Sequence, residues 1–211
     1  MEISAAILSI AIALTLGAMS PGPSFLMVAR TALAVSRKDG LAAAVGMGVG
    51  GVFFSIVSLL GLLAILAAVP LLHLGLRVLG GAYLVYLGYR IWRSAQQSLV
   101  VESTPIQSPA AQPWRSFFLG LATQVSNPKT AIVYASVFAS LLPSEVPSSA
   151  LVALPIMIFA IETIWYSVVA LALSAPGPRA RYLASKRWLD RAAGAIMSVL
   201  GIKLIFEAQQ P

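Results

Sequence analysis

Two ionisable residues sit inside apolar stretches of this chain. Lys129 follows Asn127 and Pro128 in the middle of a stretch over residues 117–142, and Glu162 lies near the centre of another over 150–173. Ionisable groups within such segments are rare unless they work or are paired, and an interior proline removes a backbone donor and clashes with the preceding turn. Asn127 is placed to cap a half-helix that starts at Pro128, a favoured first-turn residue. Ser20, ahead of Pro21, Gly22 and Pro23 near the middle of the first apolar stretch, could cap another. The free N–H groups and positive dipole end of a half-helix suit a carboxylate, and Lys129 adds a full positive charge beside one of them. Glu162 could accept an ammonium or exchange a proton. Trp165 and Tyr166, three and four residues on, share its helical face, where they wall a cavity or pack between helices. The candidate binding set is therefore Ser20, Pro21, Gly22, Pro23, Asn127, Pro128, Lys129, Glu162, Trp165 and Tyr166. The alternative is a buried ion pair between Lys129 and Glu162, although such a pair is weak evidence for stability.

The elements that must position these residues follow from composition. Of 211 residues, 59% are hydrophobic and 10% charged, with mean hydropathy +0.89, against about 25% charged in a soluble domain. The bilayer is the expected solvent, and at about 20 residues per crossing the length suits six spans without a separate soluble domain. The absence of cysteine excludes disulfides and thiolate chemistry. One histidine, His73, is too few for a zinc site or a triad, so neither catalytic residues nor a metal or cofactor are expected. No cleavable signal is visible: Glu2 stands where a basic segment would open one, and the apolar run is too long.

The expected spans are 3–35, 41–69, 74–92, 117–142, 150–173 and 192–206. The first and fourth are broken by their proline motifs, Pro70 ends the second, and the fifth is a candidate for a kink at Pro155. His73 falls in a short outer loop. Gly46 and Gly50 have the small-xxx-small spacing that lets helices approach closely. Residues 94–113, with Pro105, Pro109 and Pro113, read as a linker, residues 143–147 as a turn, and 175–191 as a basic loop. Most of the 14 basic residues fall after spans one, three and five. Basic loops stay cytoplasmic, so both termini are expected to be periplasmic. Spread over three loops without aromatic interleaving, these charges do not form a nucleic-acid patch.

The halves resemble each other. Gly81–Arg90 aligns without gaps to Gly194–Lys203, with Gly81, Ala82, Leu87 and Gly88 matching Gly194, Ala195, Leu200 and Gly201. Each half opens with a proline-broken span and has three spans, so the halves must insert in opposite orientations. The expectation is an all-α integral membrane fold of six transmembrane helices in two inverted three-helix repeats, 1–93 and 114–211, joined by the linker 94–113. Interrupted helices in corresponding positions of such repeats point to a transporter site at the midplane.

Met19-Ser20-Pro21-Gly22-Pro23, Ser36-Arg37-Lys38, Gly80-Gly81-Ala82-Tyr83-Leu84 with Leu87-Gly88-Tyr89, and Ser126-Asn127-Pro128-Lys129 together resemble, in order and over nearly the whole chain, the LysE/RhtB family of amino-acid exporters. Arg115-Ser116-Phe117-Phe118, Ser136-Val137-Phe138 and Glu162-Thr163 are most similar to its threonine-exporting subgroup. The resemblance implies export of a small neutral, zwitterionic amino acid such as threonine or homoserine across the bacterial inner membrane, driven by protons. The implied partners are that amino acid, protons and membrane lipids, with a homo-oligomer left open and no nucleic acid. Many family members carry an acid in the second span where this chain has Gly51, which shifts any proton-coupling role by elimination to Glu162. The competing readings are a non-transporting membrane scaffold, a passive channel, or an exporter of basic or branched-chain amino acids.

Overall fold

Each proline motif splits an apolar stretch into two helices. In the computed structural model, which describes residues 3–68, 72–96, 111–143 and 146–208, α1 (Ile3–Met19) stops ahead of Pro21 and α2 (Pro23–Ala34) leaves at 57° to it. Likewise α5 (Pro113–Val125) gives way to α6 (Pro128–Leu141). The unbroken helices are α3 (Arg37–Ala68), α4 (Leu72–Ser94), α7 (Ser148–Leu173) and α8 (Pro176–Ala208). No strand occurs among the described residues. α3, over Arg37–Ala64, and α7 are each long and apolar enough to cross a membrane, and the bent α1–α2 pair meets the same test as one span.

Two close helix pairs organise the packing. α4 lies antiparallel along α8, and α3 is held between α5 and α7. Glycines make both contacts possible. A Cβ on Gly81 would stand 3.0 Å from the Gly201 carbonyl, and one on Gly194 would stand 2.6 Å from the Gly88 carbonyl. A Cβ on Gly46 would overlap the Phe117 carbonyl, and one on Gly120 that of Ala43. Gly46 thus serves the close approach its spacing suggests, with α5 as the partner. One apolar core forms around Ile10, Leu84, Val137, Phe138 and Met197, and a second around Phe25, Met47 and Val169.

Three expectations change. The segment 175–191 is the first half of α8 rather than a loop. Its Arg, Lys, Ala and Leu residues are good helix formers, Lys186 and Asp190 pair at 2.6 Å one turn apart, and Tyr182 stacks on Phe25 of α2 at 5.7 Å. His73 belongs to α4 instead of a loop. α3 begins at Arg37, four residues before the expected start, because Ser36 closes a cap: its hydroxyl accepts from the Asp39 amide (3.1 Å) and donates to the Asp39 carboxylate (2.5 Å). Pro155 lies within α7, which continues through it. Of the expected linker, residues 97–110 lie outside the described residues, as do Pro70 and residues 144–145 of the expected turn.

Asp39 does more than cap α3. Fully buried, it also accepts from the Gln112 amide (3.1 Å) and the Ser116 hydroxyl (2.8 Å) at the start of α5. The beginnings of α3 and α5 are thereby tied together, at the end of the molecule that also holds the end of α4 and the start of α8.

A leucine at Gly46 should lower stability by about 2–3 kcal/mol, a Tm drop of roughly 5–10 °C, because a backbone cannot yield as a side chain can. Gly61→Leu, with nothing within 4 Å of its Cβ position, should be nearly neutral. Equal thermal unfolding of the two variants in detergent would contradict the close-packing account.

Candidate binding site at the helix breaks

The two breaks meet. Asn127 caps α6, its side-chain oxygen accepting from the Lys129 amide at 3.0 Å. Its side-chain nitrogen crosses to the Ser24 hydroxyl on α2 (2.9 Å), which donates in turn to Gln124 Oε1 on α5 (2.6 Å). Gln124 Nε2 donates to Glu162 Oε2 (3.2 Å), and the Tyr134 hydroxyl donates to Glu162 Oε1 (2.9 Å). One hydrogen-bonded chain therefore runs from the first broken span through the second to the middle of α7.

Lys129 turns the other way. Its Nζ donates to the carbonyls of Ser20 (2.8 Å) and Gly17 (3.1 Å), at the C-terminal end of α1. These carbonyls lack further helical partners and carry the negative end of the helix dipole, so the ammonium is solvated by backbone. The expected alternative, an ion pair with Glu162, is not formed: Lys129 is taken by carbonyls and Glu162 by a phenol and an amide. Both still face one cavity, with Ser20, Gly22, Ser24, Phe25, Gln124, Asn127, Tyr134 and Tyr166. Each keeps bonding capacity. An ammonium has three donors and Lys129 uses two; a carboxylate has about four acceptor sites and Glu162 uses two.

Ser20 does not cap α2. Its own amide bonds back to Leu16, so it finishes α1, and α2 starts at Gly22 with no side-chain cap. The Ser24 and Phe25 amides consequently lie in the uncapped first turn, before the first helical bond from Leu26 to Gly22. Pro21, Pro23 and Pro128 stay out of the central cavity and line a neighbouring one. Of the aromatic pair after Glu162, Tyr166 reaches the cavity, whereas Trp165 packs against the Phe25 cluster with its ring nitrogen buried and unpartnered.

Ser24, Gln124 and Tyr134 were not anticipated as site residues. Tyr134 is deeply buried in the core, and only its hydroxyl bond to Glu162 reveals a second role. Asn–Pro marks a helix start in sequence, but nothing marks a serine or glutamine whose partner lies about a hundred positions away.

The central cavity holds about 20 Å³, room for roughly one water. Beside it, between the break and the end of α4, a cavity of about 790 Å³ shares Ser20, Gly22 and Lys129.

A model of the LysE type translocators matches residues 15–208. The chain belongs to the LysE family. It is 34% identical to the threonine efflux protein of Escherichia coli K12, over 94% of this chain and 96% of that protein. It is 35% identical to the threonine efflux protein of Salmonella typhi, over 89% and 91%, and 31% identical to the uncharacterized membrane protein YahN of E. coli K12, over 89% and 83%. No solved structure matches it. As a LysE-type membrane protein the chain is a translocator rather than an enzyme. Gly51, where the resemblance places an acid in many members, packs directly on this site: a Cβ there would stand 3.0 Å from both Glu162 Cγ and the Tyr134 hydroxyl.

Asn127→Ala removes the α6 cap and the crossing bond to Ser24 together, and should cost about 1–3 kcal/mol. Asn127→Asp keeps the cap acceptor and should lose less. If the two variants unfold at the wild-type temperature, the contact between the breaks does not hold the site.

Proposed function

We propose that this protein exports a small neutral amino acid, threonine or homoserine, across the bacterial inner membrane in exchange for protons. The observation that carries the reading is the pairing in one cavity of an ammonium and a carboxylate that do not bond to each other. Such a pair is a template for a zwitterion. The substrate carboxylate takes the third donor of Lys129 and the free amides of the α2 first turn, and its ammonium takes the open acceptor sites of Glu162. Tyr134 and Gln124 hold Glu162 toward the cavity. Tyr166 walls it.

Proton exchange follows from cost. With the substrate bound, charges in the site are balanced. After release, Glu162 would be left as a bare carboxylate in a low-dielectric interior, which is expensive; a proton replaces the ammonium for the return step. Similarity to the threonine efflux proteins of E. coli and Salmonella supports threonine as the cargo. The central cavity has room for roughly one water, so the half-helices α2 and α6 must separate to admit a substrate.

The membrane arrangement belongs to the same proposal: six spans, α1–α2, α3, α4, α5–α6, α7 and α8, in two inverted halves on either side of the linker. Its support is reciprocal contact. Gly81 aligns with Gly194 and Gly88 with Gly201, and the packing contacts cross, Gly81 to Gly201 and Gly88 to Gly194. This is the pattern of two equivalent surfaces meeting about a two-fold axis. The end that gathers Arg37, Lys38, Arg90, Arg93 and Arg115 is assigned to the cytoplasm, which puts both termini in the periplasm.

Lys129→Ala and Glu162→Gln should each abolish uphill threonine efflux from cells fed a threonine dipeptide, while membrane insertion stays normal on fractionation. Collapse of the proton gradient should abolish uphill efflux by the wild type. Wild-type efflux by both variants would refute the site, and efflux that survives gradient collapse would refute the antiport.

A further inference from the structure

The 790 Å³ cavity beside the break has an unusual charge balance. Its charged lining residues are Arg90, Arg93 and Lys129, with no carboxylate among them. Its α4 wall is an ordered surface. Tyr83, Tyr86 and Arg90 follow at three- and four-residue intervals on one helical face, the two rings lie 6.0 Å apart, and the Arg90 guanidinium carbon stands 5.8 Å from the Tyr86 ring centre. A guanidinium held against a ring keeps its in-plane N–H edge available, and that edge fits a carboxylate with two parallel bonds. Other basic groups at this end of the molecule are occupied differently: Lys186 is paired with Asp190, and Arg191 lies between Trp92 and Trp188. Among the described residues no carboxylate pairs with Arg90.

We infer that Arg90 forms an entry station for the substrate carboxylate, ahead of Lys129 in the same cavity. This rests on the export reading above. The Arg90 station is exposed, so it holds an anion weakly and releases it readily; Lys129 is half-buried where this cavity meets the central one. A carboxylate that arrives at Arg90 is already inside the cavity that ends at Lys129, and the amino acid enters carboxylate first. An anionic lipid headgroup would present a phosphate to the same arginine. The carboxylate is favoured because this cavity shares Ser20, Gly22 and Lys129 with the central site.

The test is counterflow of labelled L-threonine into inside-out membrane vesicles loaded with unlabelled threonine, a format that does not depend on the coupling ion. Arg90→Gln should raise the half-saturating threonine concentration about threefold, the loss expected for one exposed ion pair, with the maximal rate unchanged. Arg90→Lys should recover most of the affinity. Independently of any variant, wild-type half-saturation should rise with salt, because an exposed ion pair is screened, and the rise should be smaller in Arg90→Gln. Unchanged half-saturation in Arg90→Gln, with wild-type counterflow intact, would overturn the station and leave the export reading standing. Absence of wild-type counterflow would overturn both. An Arg90→Gln defect present in reconstituted vesicles containing phosphatidylglycerol but absent in purely zwitterionic ones would assign Arg90 to a lipid headgroup and overturn the station.

Discussion

A broken helix in hydrocarbon leaves backbone amides and carbonyls that no water can satisfy, each costing several kcal/mol. The centre of this molecule is organised by that constraint. α1 ends in carbonyls, and Lys129 covers two of them. α6 begins in amides, and Asn127 covers one. Both covering residues come from the second break, so the second break completes the first. At the start of α2 the Ser24 and Phe25 amides precede the first helical bond without a side-chain cap, and both residues line the cavity. Uncovered donors that face a hollow have the character of a binding surface, whereas covered ones have that of a joint.

The surroundings differ in how far they can yield. α4 against α8 and α3 against α5 are seams in which backbone meets backbone across glycine, with little room to slide. α2 and α6 are short, begin at prolines, and are joined to their preceding half-helices by two or three residues. The carrier proposed above needs a fixed frame and elements that rock against it; the glycine-locked helices would supply the first and the proline-hinged α2 and α6 the second.

Much of the site was legible in the chain because its signals are local and chemically costly. Asn–Pro starts a helix wherever it stands, a lysine or glutamate inside a long apolar run demands an explanation, and small residues at regular spacing announce close contact. These signals point to α6, its cap and the close approach at Gly46, and they single out Lys129 and Glu162, which line one cavity. What could not be read depends on distant partners. Ser24, Gln124 and Tyr134 are ordinary residues until the fold sets α2, α5 and α6 beside α7. Ser20 ends α1 instead of capping α2, because the sequence does not say which of two prolines opens the helix. The first half of α8 reads as a loop in sequence because clustered charge suggests solvent, although the same residues form helix readily and Tyr182 packs on Phe25.

The tie made by Asp39 fixes where the polypeptide re-enters the bundle. Gln112 and Ser116 are anchored to the first turn of α3 by one carboxylate. A single side chain of the first half thus holds the point at which the second half begins, so loss of that carboxylate would loosen two helix starts at once.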